Sequence, residues 1–329
     1  MISLYHRDGT VRTLGDLDVE SLSPEDIWLD LDNPAREEVD FIERMTHLRM
    51  PSLEDLSEIE ASSRIYVENG ALFMSAPLAH RNDTEQLLAT PVGFVLTQER
   101  LVTIRFHPLV AFAAFAHTLS RPDASYCTAS ALFAGLLEAI VDRLADVLEL
   151  IAADLDRLSH RLFSLSPATG KRYRPSREQE SLRQALQRVG RAGDSSSQIR
   201  DALLGIARII PFVAIHAADW IGPDCKDELE TLRHDAASLS DYDAHLLNKV
   251  QLLLDATLGL INVEQNNIIK VLTIVTVVGV PPTLIASMYG MNFHNMPEYD
   301  WAWGYPYGLT LIFLSTVLPL IWFKMRGWF

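Results

Sequence analysis

Apolar and polar positions change their rhythm along this chain, and each rhythm predicts a different kind of element. Up to about residue 108 the apolar runs are short and alternating, and 26–31, 64–68, 71–77, 92–97 and 101–106 read as strands. Asn69-Gly70, between two of them, is the dipeptide of a tight hairpin. Segments 35–47 and 52–60 read as helices, the second opened by Ser52 with Asp55 three positions later, close to a capping box. This section is predicted to be an α/β domain. From about residue 129 the period becomes helical, with Leu132, Leu136, Ile140, Leu144, Leu148 and Ile151 at three- and four-residue steps in a segment ending near Ser164. Pro167, Gly170 and Pro175 break the pattern, and a second helix is expected over 176–191. The apolar stretch 202–221 carries Arg208, Pro211 and Asp219, so it is expected to pack inside the soluble part and not to cross a membrane.

From about Asp227 to Tyr289 the sole interruption is Pro281-Pro282, deep in an apolar run, which predicts one very long helix. Fifty residues of it would span roughly 75 Å, a length that calls for packing against copies of itself. Its last part, 271–289, holds no charged residue and reaches about 28 Å, close to the hydrocarbon thickness of a bilayer. Segment 307–323 is also uncharged, and Lys324, Met325 and Arg326 follow at once. Between Lys270 and Lys324 there is no Lys or Arg, so the positive-inside rule places both termini in the cytoplasm and the 290–306 loop outside. Tyr299, Trp301, Trp303, Tyr305 and Tyr307 supply an aromatic belt for that outer interface. The expected division is therefore an α/β domain (1–128), a helical region (129–226), the long helix (227–289) with its span, the external loop (290–306), a second span (307–323) and a basic tail (324–329).

One stripe of the long helix is polar or small where other faces are Leu, Ile and Val: His245, Asn248, Leu252, Asp255, Gly259, Asn262, Asn266, Ile269, then Leu272 or Thr273, Thr276, Val280, Thr283 and Ser287. Polar groups inside a membrane need water or partners, so the stripe suggests a water-filled axis. The alternative is that Ser and Thr bond their own helix carbonyls and serve helix packing. Asn248, Asp255, Asn262 and Asn266 speak for the axis, although an Asn on a helix seam also fixes register. One span per chain cannot enclose a pore, so the axis reading requires a symmetric ring of subunits. An Asp255 ring would attract cations, and Ile269, Leu272 and Val280 would form apolar constrictions able to gate by dewetting.

Composition narrows the function. The formal net charge of -15 excludes the usual nucleic-acid binder, which neutralises phosphates with clustered Lys and Arg, and suits cations. Mean hydropathy is only +0.09, too polar for a chain made mostly of spans. Cys127 and Cys225 form no CxxC pair, so no disulfide framework or thiolate metal site is indicated. The N-terminal MISLYHRDGT lacks a basic start followed by an apolar core, which predicts no cleavable leader. Arg172, Arg174, Arg177, Arg183, Arg188 and Arg191 make one helical hairpin locally basic; the plain reading is a solvated face, and the other is contact with lipid headgroups. No phosphate loop, HExxH or Ser/His/Asp order is present, so neither ATP-driven transport nor a membrane-anchored enzyme is indicated.

The run Tyr289-Gly290-Met291-Asn292-Phe293, followed by Met296-Pro297-Glu298, resembles the mark of the CorA family of magnesium transporters. It arrives with Ile261-Asn262-Val263-Glu264-Gln265-Asn266, Pro281-Pro282-Thr283, Trp303-Gly304-Tyr305-Pro306 and a tail holding Lys324 and Trp328. The resemblance implies a funnel-shaped homopentamer in the inner membrane: an α/β cytoplasmic domain, long helices, and two C-terminal transmembrane helices of which the first lines the pore. It implies Gly290, Met291 and Asn292 as the selectivity filter, Asn292 forming the outer ring, and it puts Asp255, Asn266, Ile269, Leu272, Val280 and Thr283 at pore-lining positions beside Asn262, Thr276 and Ser287. The implied activity is passive Mg²⁺ influx, with Co²⁺ and Ni²⁺ as further cargo and no cofactor. Mg²⁺ sheds water reluctantly, so a ring of Asn292 carbonyl oxygens suits the hydrated ion. Glu298 and Asp300 would concentrate cations in the outer loop. A zinc transporter of the same superfamily is the rival, with His294 as its footing. Regulation by intracellular Mg²⁺ bound between subunits is expected from the carboxylates Glu54, Asp55, Glu58, Glu60, Asp224, Asp227, Glu228 and Glu230, which the sequence alone does not pair.

Overall fold

The computed structural model describes residues 1–14, 22–58, 60, 64–82, 86–121, 126, 128–164, 175–291, 296, 298 and 300–328. They divide into two compact units, Met1–Ser166 with Gln187–Leu254, and Pro167–Leu186 with Asp255–Phe329. The first is built on a seven-stranded sheet of order β2-β1-β3-β7-β6-β5-β4. Its strands are β1 Ile2–His6, β2 Val11–Thr13, β3 Asp26–Asp32, β4 Ile65–Glu68, β5 Ala71–Arg81, β6 Leu87–Leu96 and β7 Leu101–Arg105. β3 and β7 run parallel and the other five neighbouring pairs antiparallel.

Alternate side chains leave a strand on opposite faces, and both faces of this sheet are covered. One presents Leu29, Leu31, Val95, Val102 and Ile104 to Phe41 and Ile42 of α1 (Arg36–Thr46) and Leu56 of α2 (Leu53–Ser57). On the other, Trp28 stacks on Tyr5 at 4.2 Å and lies against Phe112 and Phe115 of α3 (Val110–Leu119), while Phe94 meets the edge of Phe133 of α4 (Ala129–Ser164). Asp30 is buried on this second face and needs a cation. Arg105 supplies it, with Nη2 donating to Asp30 Oδ2 at 2.9 Å and Nη1 standing 3.1 Å from Asp32. Thr103 Oγ1 donates to Asp30 at 2.8 Å and accepts from Trp28 Nε1 at 3.0 Å, so every member is satisfied.

Several expected elements have different limits. Asn69 and Gly70 have φ of 49° and 78°, the paired left-handed residues of the predicted hairpin turn. Ser52 and Asp55 complete the capping box, but α2 stops at Ser57. β5 runs on through Pro77 to Arg81 because Pro77 stands opposite Pro91, a ladder position at which neither residue donates an N–H. β1, β2 and α3 were not predicted. The helix expected over 176–191 and the apolar segment after it form one helix, α5 (Pro175–His216). Its buried residues Leu182, Ala185, Val189, Ala192, Ser196, Ile199, Leu203, Ile206, Ile210 and Val213 keep three- and four-residue steps throughout, and the helix continues through Pro211. Two long helices follow, α6 (Pro223–Tyr289) and α7 (Gly304–Met325), and both are long and apolar enough to cross a membrane.

Candidate functional site

The polar stripe of α6 can be tested against coverage. Asp255, Asn262, Asn266, Ile269, Leu272, Thr276, Val280, Thr283 and Ser287 are all exposed in the single chain, Ile269, Leu272 and Val280 at 59, 65 and 57%. Thr257 and Glu264 are buried, and Asn267, Ile274, Val278, Pro281 and Ile285 are half-buried. Each of these lies two residues from a member of the stripe, about 200° around the helix. The covered face and the stripe are therefore on opposite sides. Exposure is not confined to the stripe: Leu284 and Met288 beside it are exposed, and so are Val275 and Val271, the latter three and four residues from the half-buried Ile274 and Asn267 and on their side of the helix. Thr276 Oγ1 donates to Leu272 O at 2.9 Å and Thr283 Oγ1 to Gly279 O at 2.8 Å. Their protons are thus satisfied inside the helix, as the packing alternative requires, while the oxygens keep acceptor capacity that a water or a hydrated cation can use.

α6 ends where the Gly-Met-Asn run begins. Gly290 N donates to Ala286 O at 3.0 Å, Met291 N donates to Met288 O at 3.2 Å, and the Met291 side chain is half exposed. Asn292 and His294 lie outside the described residues, as do Pro297 and Tyr299. Beyond them the chain turns tightly into α7: a Cβ on Gly304 would come within 2.2 Å of Glu298 O, so only glycine fits there. Glu298 is half-buried and Asp300 exposed. Trp301, Trp303, Tyr305 and Tyr307 are exposed at this end of α7, with Trp301 and Tyr307 rings 5.5 Å apart. At the other end Arg326 lies 5.3 Å over the Trp322 ring.

Comparison with known proteins decides what this long helix and its partner belong to, because residues 25–325 match the model of the family described as CorA-like Mg2+ transporter protein. The chain belongs to the CorA-like Mg2+ transporter family. It is 31% identical over 302 residues to the magnesium transport protein CorA of Pasteurella multocida, covering 92% of each chain. It is 30% identical over 328 residues to the protein of the same name from Mannheimia succiniciproducens, covering 100% of each. Among solved structures it matches the complete CorA magnesium transporter of Methanocaldococcus jannaschii with a TM-score of 0.74 at 18% identity, over 100% of this chain and 98% of that one, which is a likeness of fold.

In this CorA-like chain the candidate regulatory carboxylates fall into two groups, one in and just after α2 and one in the first turns of α6. Glu54 is exposed on α2, and Asp55 is held below the usual carboxylate range by its bonds to the Ser52 amide and hydroxyl. Glu58 and Glu60 are exposed just after α2, and Asp224 and Asp227 are exposed in the first turns of α6. Glu230 is held low by Arg233, 2.5 Å away, and by His234. Glu228 differs, for partial burial and then the charge of Glu138 on α4 push its carboxyl upward. The same surroundings raise Tyr126, and burial pushes the Cys225 thiol up to about 11. Glu138 was missed in sequence because it sits among the core positions of α4 with nothing nearby in the chain to mark it. Among the described residues no group of three or more His, Cys, Asp or Glu side chains gathers within one chain to hold a metal.

Proposed function

We propose that copies of this chain assemble as a homopentamer in the cell membrane, both termini inside, around an axis lined by the α6 stripe, and that this ring passes hydrated Mg²⁺ into the cell. The observation that carries the reading is the placement of the stripe: Asp255, Asn262, Asn266, Ile269, Leu272, Thr276, Val280, Thr283 and Ser287 are exposed opposite the covered face of α6. Full-length identity of 30% to a relative named as a magnesium transport protein favours Mg²⁺ as cargo. Asn292, with Gly290 and Met291, holds the hydrated ion at the outer mouth through side-chain oxygens, Glu298 and Asp300 raise the local cation concentration, and an Asp255 ring attracts the ion from within. Lipid covers the outer faces of the spans. A divalent ion moving inward gains about 4.6 kcal/mol per 100 mV, twice the single-charge value, so the potential alone drives uptake and neither cofactor nor catalytic step is needed.

Intracellular Mg²⁺ bound by Glu54, Asp55, Glu58, Glu60, Asp224, Asp227, Glu228 or Glu230 across subunit boundaries holds the ring closed in this reading. The test is ion uptake into proteoliposomes holding the full chain, with the potential set by a K⁺ gradient. Mg²⁺ uptake should rise with an inside-negative potential and fall at least tenfold in Asn292→Ala. Uptake that ignores the potential, or follows a pH gradient and prefers Zn²⁺ over Mg²⁺, would replace this reading with the zinc transporter. Co²⁺ and Ni²⁺ are measured in the same vesicles.

A further inference from the structure

The first unit carries a cation-lined cavity that ion conduction does not use. It measures about 220 Å³ and lies where the end of β5 meets α4 and α5. Arg81, the last residue of β5, and Arg188 and Arg191, one turn apart on α5, supply three guanidinium groups to its wall. Among the described residues that line the cavity Asp154 is the single carboxylate, and it is already engaged by Arg188 and by Arg157 at 3.3 Å. Arg191 is exposed and has no ion pair or hydrogen bond among the described residues. The floor is apolar: Val147 and Ile151 are buried, and Leu150 keeps 54% of its surface exposed.

Three forked cations around a half-exposed apolar floor, in a protein of net charge -15, are the reverse of a metal site. Arginine presents paired N–H donors that match two phosphate oxygens at once, and Ser195 adds a hydroxyl at the rim. We propose that this cavity binds a phosphate-bearing organic anion, its phosphate on Arg191 and Arg188 and its apolar portion on Leu150. The volume lies below the roughly 300–1,000 Å³ of pockets that enclose whole ligands, so it takes one phosphorylated group and leaves the rest outside. Both a free nucleotide and the headgroup of an anionic phospholipid present that chemistry.

The test uses the full chain in detergent. One arm titrates ADP and pyrophosphate calorimetrically in the absence of divalent ions, and the other measures retention of phosphatidic acid by native mass spectrometry. Wild-type protein should bind one phosphorylated ligand per chain in at least one arm, which also identifies the source. Arg191→Gln, which removes no ion pair or hydrogen bond made among the described residues, should weaken that binding at least tenfold. Arg183→Gln, exposed on the same helix outside the cavity, should leave it unchanged. Absence of binding in both arms, wild-type affinity in Arg191→Gln, or equal loss in Arg183→Gln, which would mean diffuse attraction, overturns the proposal.

Discussion

Asp243 of α6 is fully buried, accepts from Ser196 Oγ, and accepts from Arg200 Nε at 3.0 Å, whereas the Arg200 side chain is 40% exposed. That asymmetry predicts unequal costs for removing the two partners. Arg200→Met strands a carboxylate with no access to water, and losing the partner of a buried charge costs about 3–5 kcal/mol. Asp243→Asn keeps the shape and an acceptor for Ser196 and leaves a cation that can turn to solvent, so the loss is about 1–2 kcal/mol, the scale of one hydrogen bond. The double variant should be more stable than Arg200→Met alone, with a coupling of about 1.5 kcal/mol or more, because no buried charge remains. Amide hydrogen exchange of the full chain, read over residues 193–203 and 240–246, gives the local opening free energies without assuming two-state unfolding. Equal costs for the two single variants, or strict additivity in the double, would refute the reasoning.

Glu228 gives a pH prediction. Its folded pKa is raised by burial and by Glu138, so the folded state holds its proton more tightly than the unfolded chain. The sign follows: stability gained from this group grows as pH falls through the raised folded pKa and levels off below the ordinary value of 4.5. Exchange protection of the α4 and α6 segments around Glu138 and Glu228 should therefore be flatter between pH 7 and pH 5 in Glu228→Gln than in wild type, and an unchanged slope would dismiss the repulsion. Gly304→Ala forces a Cβ to within 2.2 Å of Glu298 O, so it should shift the turn before α7 and lower Mg²⁺ uptake severalfold while the first unit keeps its exchange pattern. Wild-type uptake would mean that the turn adjusts freely.

The sequence carried those parts of the fold in which local chemistry and long-range packing agree. Asn69-Gly70 can only turn one way between two strands, and the capping residues Ser52 and Asp55 announce α2. Helix α6 was legible because its period continues without a polar break from the soluble section into an uncharged run. The misses fall where a partner elsewhere in the chain overrides a local signal. Pro77 should end a strand, and it does not because Pro91 faces it across the ladder. Pro211 and Arg208 interrupt the apolar stretch of α5, yet the buried stripe continues past both. Nothing near Asp30 in the chain marks it as buried, and its partner Arg105 comes from β7, 75 positions away. Glu138 on α4 likewise acts on Glu228 from a distant part of the chain. The candidate pore stripe was found by period alone, since nine positions on one face need no tertiary knowledge to be recognised.

Conduction along α6 requires that stripe to face water, and cysteine accessibility through the span reads this directly. In a background with Cys127→Ser and Cys225→Ala, single cysteines from 269 to 287 in the membrane-embedded full chain would be reacted with a charged, membrane-impermeant thiol reagent. A water-lined stripe should give fast, Mg²⁺-protected modification at positions 269, 272, 276, 280, 283 and 287, with slow reaction at 274, 278 and 285. Fastest reaction at 274, 278 and 285, or uniform reaction without a helical period, would contradict it.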